Sequence, residues 1–463
     1  MKNIICIIAM TSAVSLSAQT TGGISDNTLQ QIRKANTQTI TDRALYNALS
    51  HNSINSLALT ANNQINNDTH FSHKVKSEGI TDQEQSGRCW LFTGLNVMRA
   101  KAIAKYDLGS FQFSQSYCFF YDQLEKANLF LQATIDNANK PINDKTVEWL
   151  FKNPLSDGGQ FTGIQDIISK YGLVPAEVMN ESFNANNTSK MSSIIQSKLR
   201  EWGLELRTAY SKGENKDQLE RRKTEMLKTV YHILSLCLGE PPTQFTWTRT
   251  NAKGEPQETK QYTPIQFYKE IVGVDLKNNY IMLMNDPTRE YYKLYTIDLD
   301  RHTYDGSNWT YVNLPIDDIK KMAIASIKDS TMMYFSCDVG KCYNNKTGIL
   351  STNNFDYESL FGISFGMNKA DRIRTFESAS SHAMTLMAVD LDKNDNPKKW
   401  MVENSWGKES GYNGHLIMTD KWFDEYMFRL VVDKKYALPK VLEVLKQTPT
   451  KLPAWDPLFA PEE

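Results

Sequence analysis

The alternation of apolar and polar positions divides this chain into a helical first half and a strand-rich last third. Leu91, Leu95, Met98 and Ile103 recur at roughly helical spacing and predict a helix from the C-W pair at 89–90 to about residue 106. A second helix is expected at 112–135, dense in aromatics such as Phe113, Tyr117, Phe120 and Phe130. The turn S-D-G-G-Q at 156–160 leads into a third, with Phe161, Ile164, Ile167, Ile168 and Tyr171 on its apolar face and Gly172 and Pro175 as its stop. Residues 188–238 read as a helical hairpin. Ile194, Ile195, Leu199 and Trp202 lie on one arm, Leu219, Leu227, Val230 and Leu234 on the other, and S-K-G-E-N at 211–215 is the loop. The charge run K-D-Q-L-E-R-R-K is the solvated face of that hairpin. Residues 243–345 are mixed, with a helix opened by Thr263-Pro264. Residues 384–389 (M-T-L-M-A-V) are apolar on both faces, which predicts a buried strand, with neighbours at 400–404 and 414–419. Pro453, Pro457 and Pro461 exclude a long helix from the end of the chain, and the Asn-, Thr- and Ser-rich residues 19–75 predict an extended arm with some helix.

Composition narrows the class. The 463 residues bury a sizeable core in two or three subdomains or one decorated domain, and 40% hydrophobic with 11% aromatic content suits a folded soluble protein. The formal net charge of −1 gives no indication of a nucleic-acid partner. The N-terminus has the pattern of an export signal: Lys2, a short apolar run at 4–16, then Ser15, Ser17 and Ala18, with cleavage expected near Ala18. No later stretch is long and apolar enough to span a bilayer, so the mature chain is expected to carry no membrane span and to work as an exported, periplasmic or secreted protein. Of six cysteines, removal of Cys6 leaves five, an odd number that fits one reactive thiol and at most two disulfides. Cys118 and Cys237 read as core residues; Cys337 and Cys342 are close enough in sequence to pair, and the spacing leaves that question open. With no H-E-x-x-H and no paired C-x-x-C set, no structural or catalytic metal is expected.

The candidate chemistry centres on Cys89, in D-Q-E-Q-S-G-R-C-W-L-F at 82–92. A free thiol has a pKa of roughly 8.5, and a helix N-terminus with an adjacent imidazolium lowers it. Gly87 and the apolar helix that follows place the sulfur at such an N-terminus; the ordinary alternative is an inert buried cysteine. Gln83, six residues earlier, is the candidate oxyanion donor together with the Cys89 backbone N–H, and Gln85 is the nearby competitor, too close to the cysteine. His382, just ahead of the buried strand, is the candidate partner and proton donor, with His415 read as structural. Asn404 in E-N-S-W-G is expected to fix the His382 tautomer, under the cover of Trp406.

Q-x-x-x-G-R-C-W, S-H-A-M and E-N-S-W-G resemble the papain superfamily. G-R-C-W-L-F at 87–92, F-S-Q-S-Y at 113–117, S-D-G-G-Q at 156–160, G-E-P-P-T at 239–243, C-D-V-G-K at 337–341 and L-P-A-W-D-P at 452–457 resemble, more specifically, the bleomycin hydrolase and aminopeptidase C family, over roughly residues 75–463. The resemblance implies an α+β papain-like cysteine protease fold, a helical subdomain plus an antiparallel β subdomain, with helical insertions and a C-terminal arm. The corresponding division is a signal peptide at 1–18, an N-terminal arm at 19–75 and a helical subdomain with the nucleophile at 76–187. An inserted helical and mixed region with a role in oligomerisation follows at 188–345, then a β subdomain with His382 and Asn404 at 346–440 and the arm at 441–463. Such insertions account for the separation of 293 positions from Cys89 to His382, about twice the gap of small papain-like enzymes.

The resemblance further implies a homohexamer with internal active sites and a cysteine-type aminopeptidase acting on peptides through an acyl-enzyme, with no cofactor. Gly158 and Gly159 are implied to bind substrate backbone. The arm is implied to block longer substrates while the terminal carboxylate, here of Glu463, meets the substrate's ammonium. This arm ends L-F-A-P-E-E, where the related pattern has a small-residue run such as M-G-A-L-A after W-D-P. The family is mostly intracellular, so a signal peptide is also a departure. The alternatives are a papain-like endopeptidase, if the arm is displaced, and a non-catalytic scaffold, against which the intact set Cys89, His382, Asn404 and Gln83 argues.

Overall fold

A computed structural model describes residues 22–61, 63 and 68–458. The export signal at 1–18 and the terminal residues Pro461, Glu462 and Glu463 lie outside the described residues. The described residues form two compact units, divided between Leu59 and Thr60. In the first, the Asn/Ser/Thr-rich sequence forms three short helices, Asp26–Ala35, Ile40–Leu49 and Ile54–Ala58. The polar residues are their caps: Ser25, Thr39 and Ser53 each accept a backbone N–H of the first turn, and Asp42 closes a capping box with Thr39.

The second unit is α+β. Its helical side is built on Cys89–Tyr106, Gln115–Asp136, Phe161–Tyr171 and the hairpin Ser189–Ser211 and Lys216–Leu238. Cys89–Tyr106 is more than amphipathic, since every residue from Cys89 to Arg99 is buried. A helix enclosed on all sides dilutes the apolar stripe that its spacing suggests. The hairpin's second arm starts with a capping box between Asn215 and Gln218 and ends at Gly239, whose φ of 91° suits glycine.

The sheet has 12 strands among the described residues. Its centre is His382–Leu391, flanked antiparallel by Met333–Cys337 and Pro397–Glu403, with His415–Thr419 next. Every residue of His382–Leu391 is buried, which is why its sequence is apolar on both faces. The register pairs His382 with Cys337 and Thr385 with Glu403, so the end of one strand, where Asn404 follows, lies beside the beginning of the next. The sheet does not respect a boundary at 345: Tyr280–Met284, Lys293–Ile297, Thr310–Asn313 and Met333–Cys337 belong to it together with the strands that carry His382 and Asn404. Apolar residues divide into two clusters, one among the helices with Cys89, Trp90 and Phe119, the other between the sheet and the helices Ile316–Lys328 and Asp420–Tyr426.

Candidate active site

Cys89 is the first residue of its helix, and Arg88 before it provides no side-chain cap. The orphan N–H groups and positive end of the helix dipole therefore face the region of the sulfur. The backbone N–H of Ala383 points at Cys89 Sγ from 3.5 Å. Because Ala383 follows His382, this contact fixes the thiol at the strand entrance that carries the imidazole. Arg88 is itself buried, ion-paired to Glu181 at 2.8 Å and lying over the rings of Phe92 and Phe119, which anchors the residue before the thiol.

His382 is buried, with Nε2 2.8 Å from Asn404 Oδ1. The same oxygen accepts the Ser405 backbone N–H at 2.8 Å. A backbone N–H can only donate, so it identifies the Asn404 atom as the carbonyl oxygen, and Nε2 must then carry the proton. Nδ1 is left to exchange a proton with a thiol. Trp406 stacks on the imidazole, centroids 4.6 Å apart and planes 29° from parallel, covering the hydrogen bond as its position in the motif suggests.

Gln83 is buried and held at both ends of its amide. Nε2 donates to the Ser86 carbonyl at 2.7 Å, and Oε1 accepts the Ser405 hydroxyl at 2.7 Å. The Gln83 backbone N–H donates to the Ser405 carbonyl at 2.8 Å, and Asp82 bridges to Trp406. One Nε2 hydrogen remains for a further acceptor. Glu84, next in sequence, holds φ at 52°, in the left-handed region, where Asp82 Oδ1 accepts its N–H.

Gly158 and Gly159 line a cleft of about 730 Å3 whose walls include Ser86, Gly87, Trp149 and Leu155. A Cβ on Gly159 would stand 2.2 Å from His302 Cε1 and 2.9 Å from Trp90 Cδ2, so only glycine fits there. The arm is described as far as Leu458. Thr450–Leu452 pairs parallel with Lys293–Ile297, Asp456 is ion-paired to Arg289, and the Leu458 carbonyl accepts from Arg429 Nη2 at 2.7 Å. The candidate carboxylate of Glu463 lies beyond that point, outside the described residues.

The structure thus brings Cys89, His382, Asn404 and Gln83 around one strand entrance. His415 sits on the neighbouring strand opposite Glu403, with Nδ1 2.9 Å from the Asn413 carbonyl; burial holds its pKa below the ordinary value. None of the five described cysteines is in a disulfide, Cys337 and Cys342 included. Burial pushes the Cys118, Cys237 and Cys342 thiols up, away from the reactive thiolate form. Among the described residues no cluster of His, Cys, Asp and Glu has the makings of a metal site, and no helix is long and apolar enough to cross a membrane.

Three features escaped the sequence reading. Ser405 ties Asn404 to Gln83. Arg88 anchors the nucleophile loop. Arg99, from the nucleophile helix, pairs with Glu403, the residue before Asn404, at 2.6 Å with both side chains buried. Ser405, Arg88 and Glu403 stand inside recognised strings, which is the signal the sequence offers for them; Arg99 stands in none.

A model of the Peptidase C1-like family matches residues 23–459 of this chain. Bleomycin hydrolase of Mus musculus is 42% identical over 400 residues, 84% of this chain and 88% of that protein. Aminopeptidase C of Lactobacillus delbrueckii subsp. lactis is 36% identical over 419 residues, 89% of this chain and 93% of that one. Among solved structures, the crystal structure of pepw from Lactobacillus rhamnosis superposes with a TM-score of 0.92 at 34% identity, covering 95% of this chain and 99% of the other.

Proposed function

The chain belongs to the Peptidase C1-like family, and from that premise we propose how its site works. The protein is a papain-like cysteine aminopeptidase, as its likeness to bleomycin hydrolases and aminopeptidases C over most of its length supports. Its substrates are peptides with a free N-terminus. The Cys89 thiolate attacks the first peptide carbonyl, and the oxyanion is held by the Gln83 amide and the Cys89 N–H. The His382 imidazolium gives its Nδ1 proton to the departing amine, leaving the first residue as a thioester on Cys89. Neutral His382 then takes a proton from water as it attacks the thioester, and the thiol and the free amino acid are released. Asn404 keeps Nε2 protonated throughout. The observation that carries this reading is the bond from His382 Nε2 to an Asn404 oxygen also fixed by the Ser405 N–H, beside a thiol at a helix N-terminus.

The Gly158–Gly159 edge is proposed to bind the first residue, and the terminal carboxylate of Glu463 to receive its ammonium. A mixture of unblocked peptides incubated with reduced enzyme is expected to show stepwise loss of N-terminal residues by mass spectrometry, and none with Cys89→Ala. Internal fragments would point instead to an endopeptidase. Export is proposed on the strength of Lys2, the apolar run at 4–16 and Ala18, and a homohexamer on the family resemblance. N-terminal sequencing of protein from the native host and light scattering of the mature enzyme test these two points.

A further inference from the structure

Behind Gly158 and Gly159 runs a chain of titratable groups, Asp122 and His302 buried and Lys126 half-buried, that the proposed chemistry leaves unused. Asp122, wholly buried on Gln115–Asp136, has one carboxylate oxygen 2.9 Å from Lys126 Nζ, one turn along, and the other 2.5 Å from His302 Nδ1. His302 is buried edge-on to Trp90, centroids 4.6 Å apart. Burial alone would push Asp122 up, but Lys126 and His302 together hold its carboxyl below the usual range. Burial, helped by the Lys126 charge, holds His302 below its ordinary value against the pull of Asp122.

An ammonium has three donors and no acceptor. On Lys126 one goes to Asp122, and the others go to two backbone carbonyls of the cleft wall: Ser156 O at 2.9 Å and Gly158 O at 2.6 Å. Gln123 Nε2 adds a bond to Ser156 O at 3.0 Å, and Trp90 Nε1, one residue after the candidate nucleophile, takes Asp157 O at 2.8 Å. Three consecutive carbonyls, 156 to 158, are thus gripped by the nucleophile helix and its neighbour. Ser156 Oγ in turn accepts the Gly158 N–H at 2.9 Å.

We propose that Lys126 is a positioning residue for the substrate-binding edge: locked by Asp122 and His302, its ammonium sets the peptide planes of 156–158 at a fixed distance from Cys89. This rests on the reading of Gly158 and Gly159 as the edge that binds the first residue. A cluster serving only the fold would lower stability without a selective effect on substrate affinity; a positioning group shifts KM and spares the thiol.

The test compares wild type, Lys126→Met and Ser156→Ala on leucyl-coumarin amide, alongside alkylation of Cys89 by iodoacetamide, which needs no binding edge. Lys126→Met is expected to raise KM about tenfold, as the Ser156 and Gly158 carbonyls lose their charged donor, with kcat and alkylation rate within about twofold of wild type. Ser156→Ala, which removes the second restraint on Gly158, is expected to raise KM about threefold at unchanged thermal midpoint. The proposal is overturned if KM stays at the wild-type value in Ser156→Ala and in any Lys126→Met protein that folds, or if alkylation slows in step with kcat/KM. Wild type without Cys89-dependent activity on this substrate would remove the aminopeptidase reading, and this proposal with it.

Discussion

The Ser405 hydroxyl donates to Gln83 Oε1 at 2.7 Å while the Ser405 backbone N–H donates to Asn404 Oδ1 at 2.8 Å. One residue therefore orients both the candidate oxyanion donor and the group that sets the tautomer of His382. The two hydrogen bonds differ in kind. The backbone bond survives any substitution except proline, whereas the hydroxyl bond can be deleted alone.

Ser405→Ala separates them. Without the hydroxyl, the Gln83 amide keeps only its bond to the Ser86 carbonyl. A net hydrogen bond is worth about 1 kcal/mol and an unsatisfied buried acceptor about 1–3 kcal/mol, so kcat/KM is expected to fall about tenfold with the alkylation rate of Cys89 unchanged. Steady-state kinetics and iodoacetamide alkylation check this; a fall in both would mean that Ser405 acts through the thiol–imidazole pair instead.

Arg99 and Glu403 join the nucleophile helix to the strand that ends just before Asn404, and both are buried. Removing one partner strands a charge in the interior, which destabilises by about 3–5 kcal/mol, whereas replacing both with apolar residues of similar size is often neutral. Glu403→Leu is expected to unfold at markedly lower urea, and Arg99→Met combined with Glu403→Leu to recover most of the loss. Strictly additive losses in the double variant would show that the pair is not coupled.

Lys369 is enclosed, with Nζ donating to Asn285 Oδ1 at 2.7 Å and to the Met427 and Asp424 carbonyls at 2.5 and 3.1 Å. Burial outweighs the nearby Glu425 and Asp424 and pushes its pKa down to about 7. In the unfolded chain it reverts to about 10.4. Between these values the unfolded chain binds a proton that the folded protein does not, so this group's contribution to stability rises with pH; below about pH 7 both states are protonated and the contribution is flat. The stability of wild type relative to Lys369→Met is expected to grow by about 2 kcal/mol from pH 7 to pH 9, measured by urea unfolding. A difference constant over that range would contradict the assignment.

Much of the site was legible because its chemistry is written in short strings. Cys89 stands before an apolar helix, His382 before a run apolar on both faces, and Asn404 within N-S-W-G, and the strand register then brings the three together. What remained hidden depends on partners far apart in sequence. The Arg99–Glu403 pair spans 304 positions, and an arginine in an apolar helix carries no mark of the carboxylate it meets. The Asp122–His302 contact spans 180 positions, and His302 has no motif of its own. The strands between 280 and 337 show in the sequence only as mixed structure, because short runs such as Y-I-M-L-M do not tell strand from buried helix until the sheet they complete is known. The N-terminal helices at 26–58 were blurred by the polar residues that cap them.

The central claim, a Cys89 thiol peptidase that requires a free substrate amine, is tested most directly with an aminoacyl-coumarin amide and its N-acetylated twin, under reducing conditions, with wild type and Cys89→Ala. The account predicts rapid cleavage of the free-amine substrate alone, abolished in Cys89→Ala. Comparable or faster cleavage of the acetylated twin would contradict it, because a cleft that accepts a blocked N-terminus has no arm closing its non-primed side.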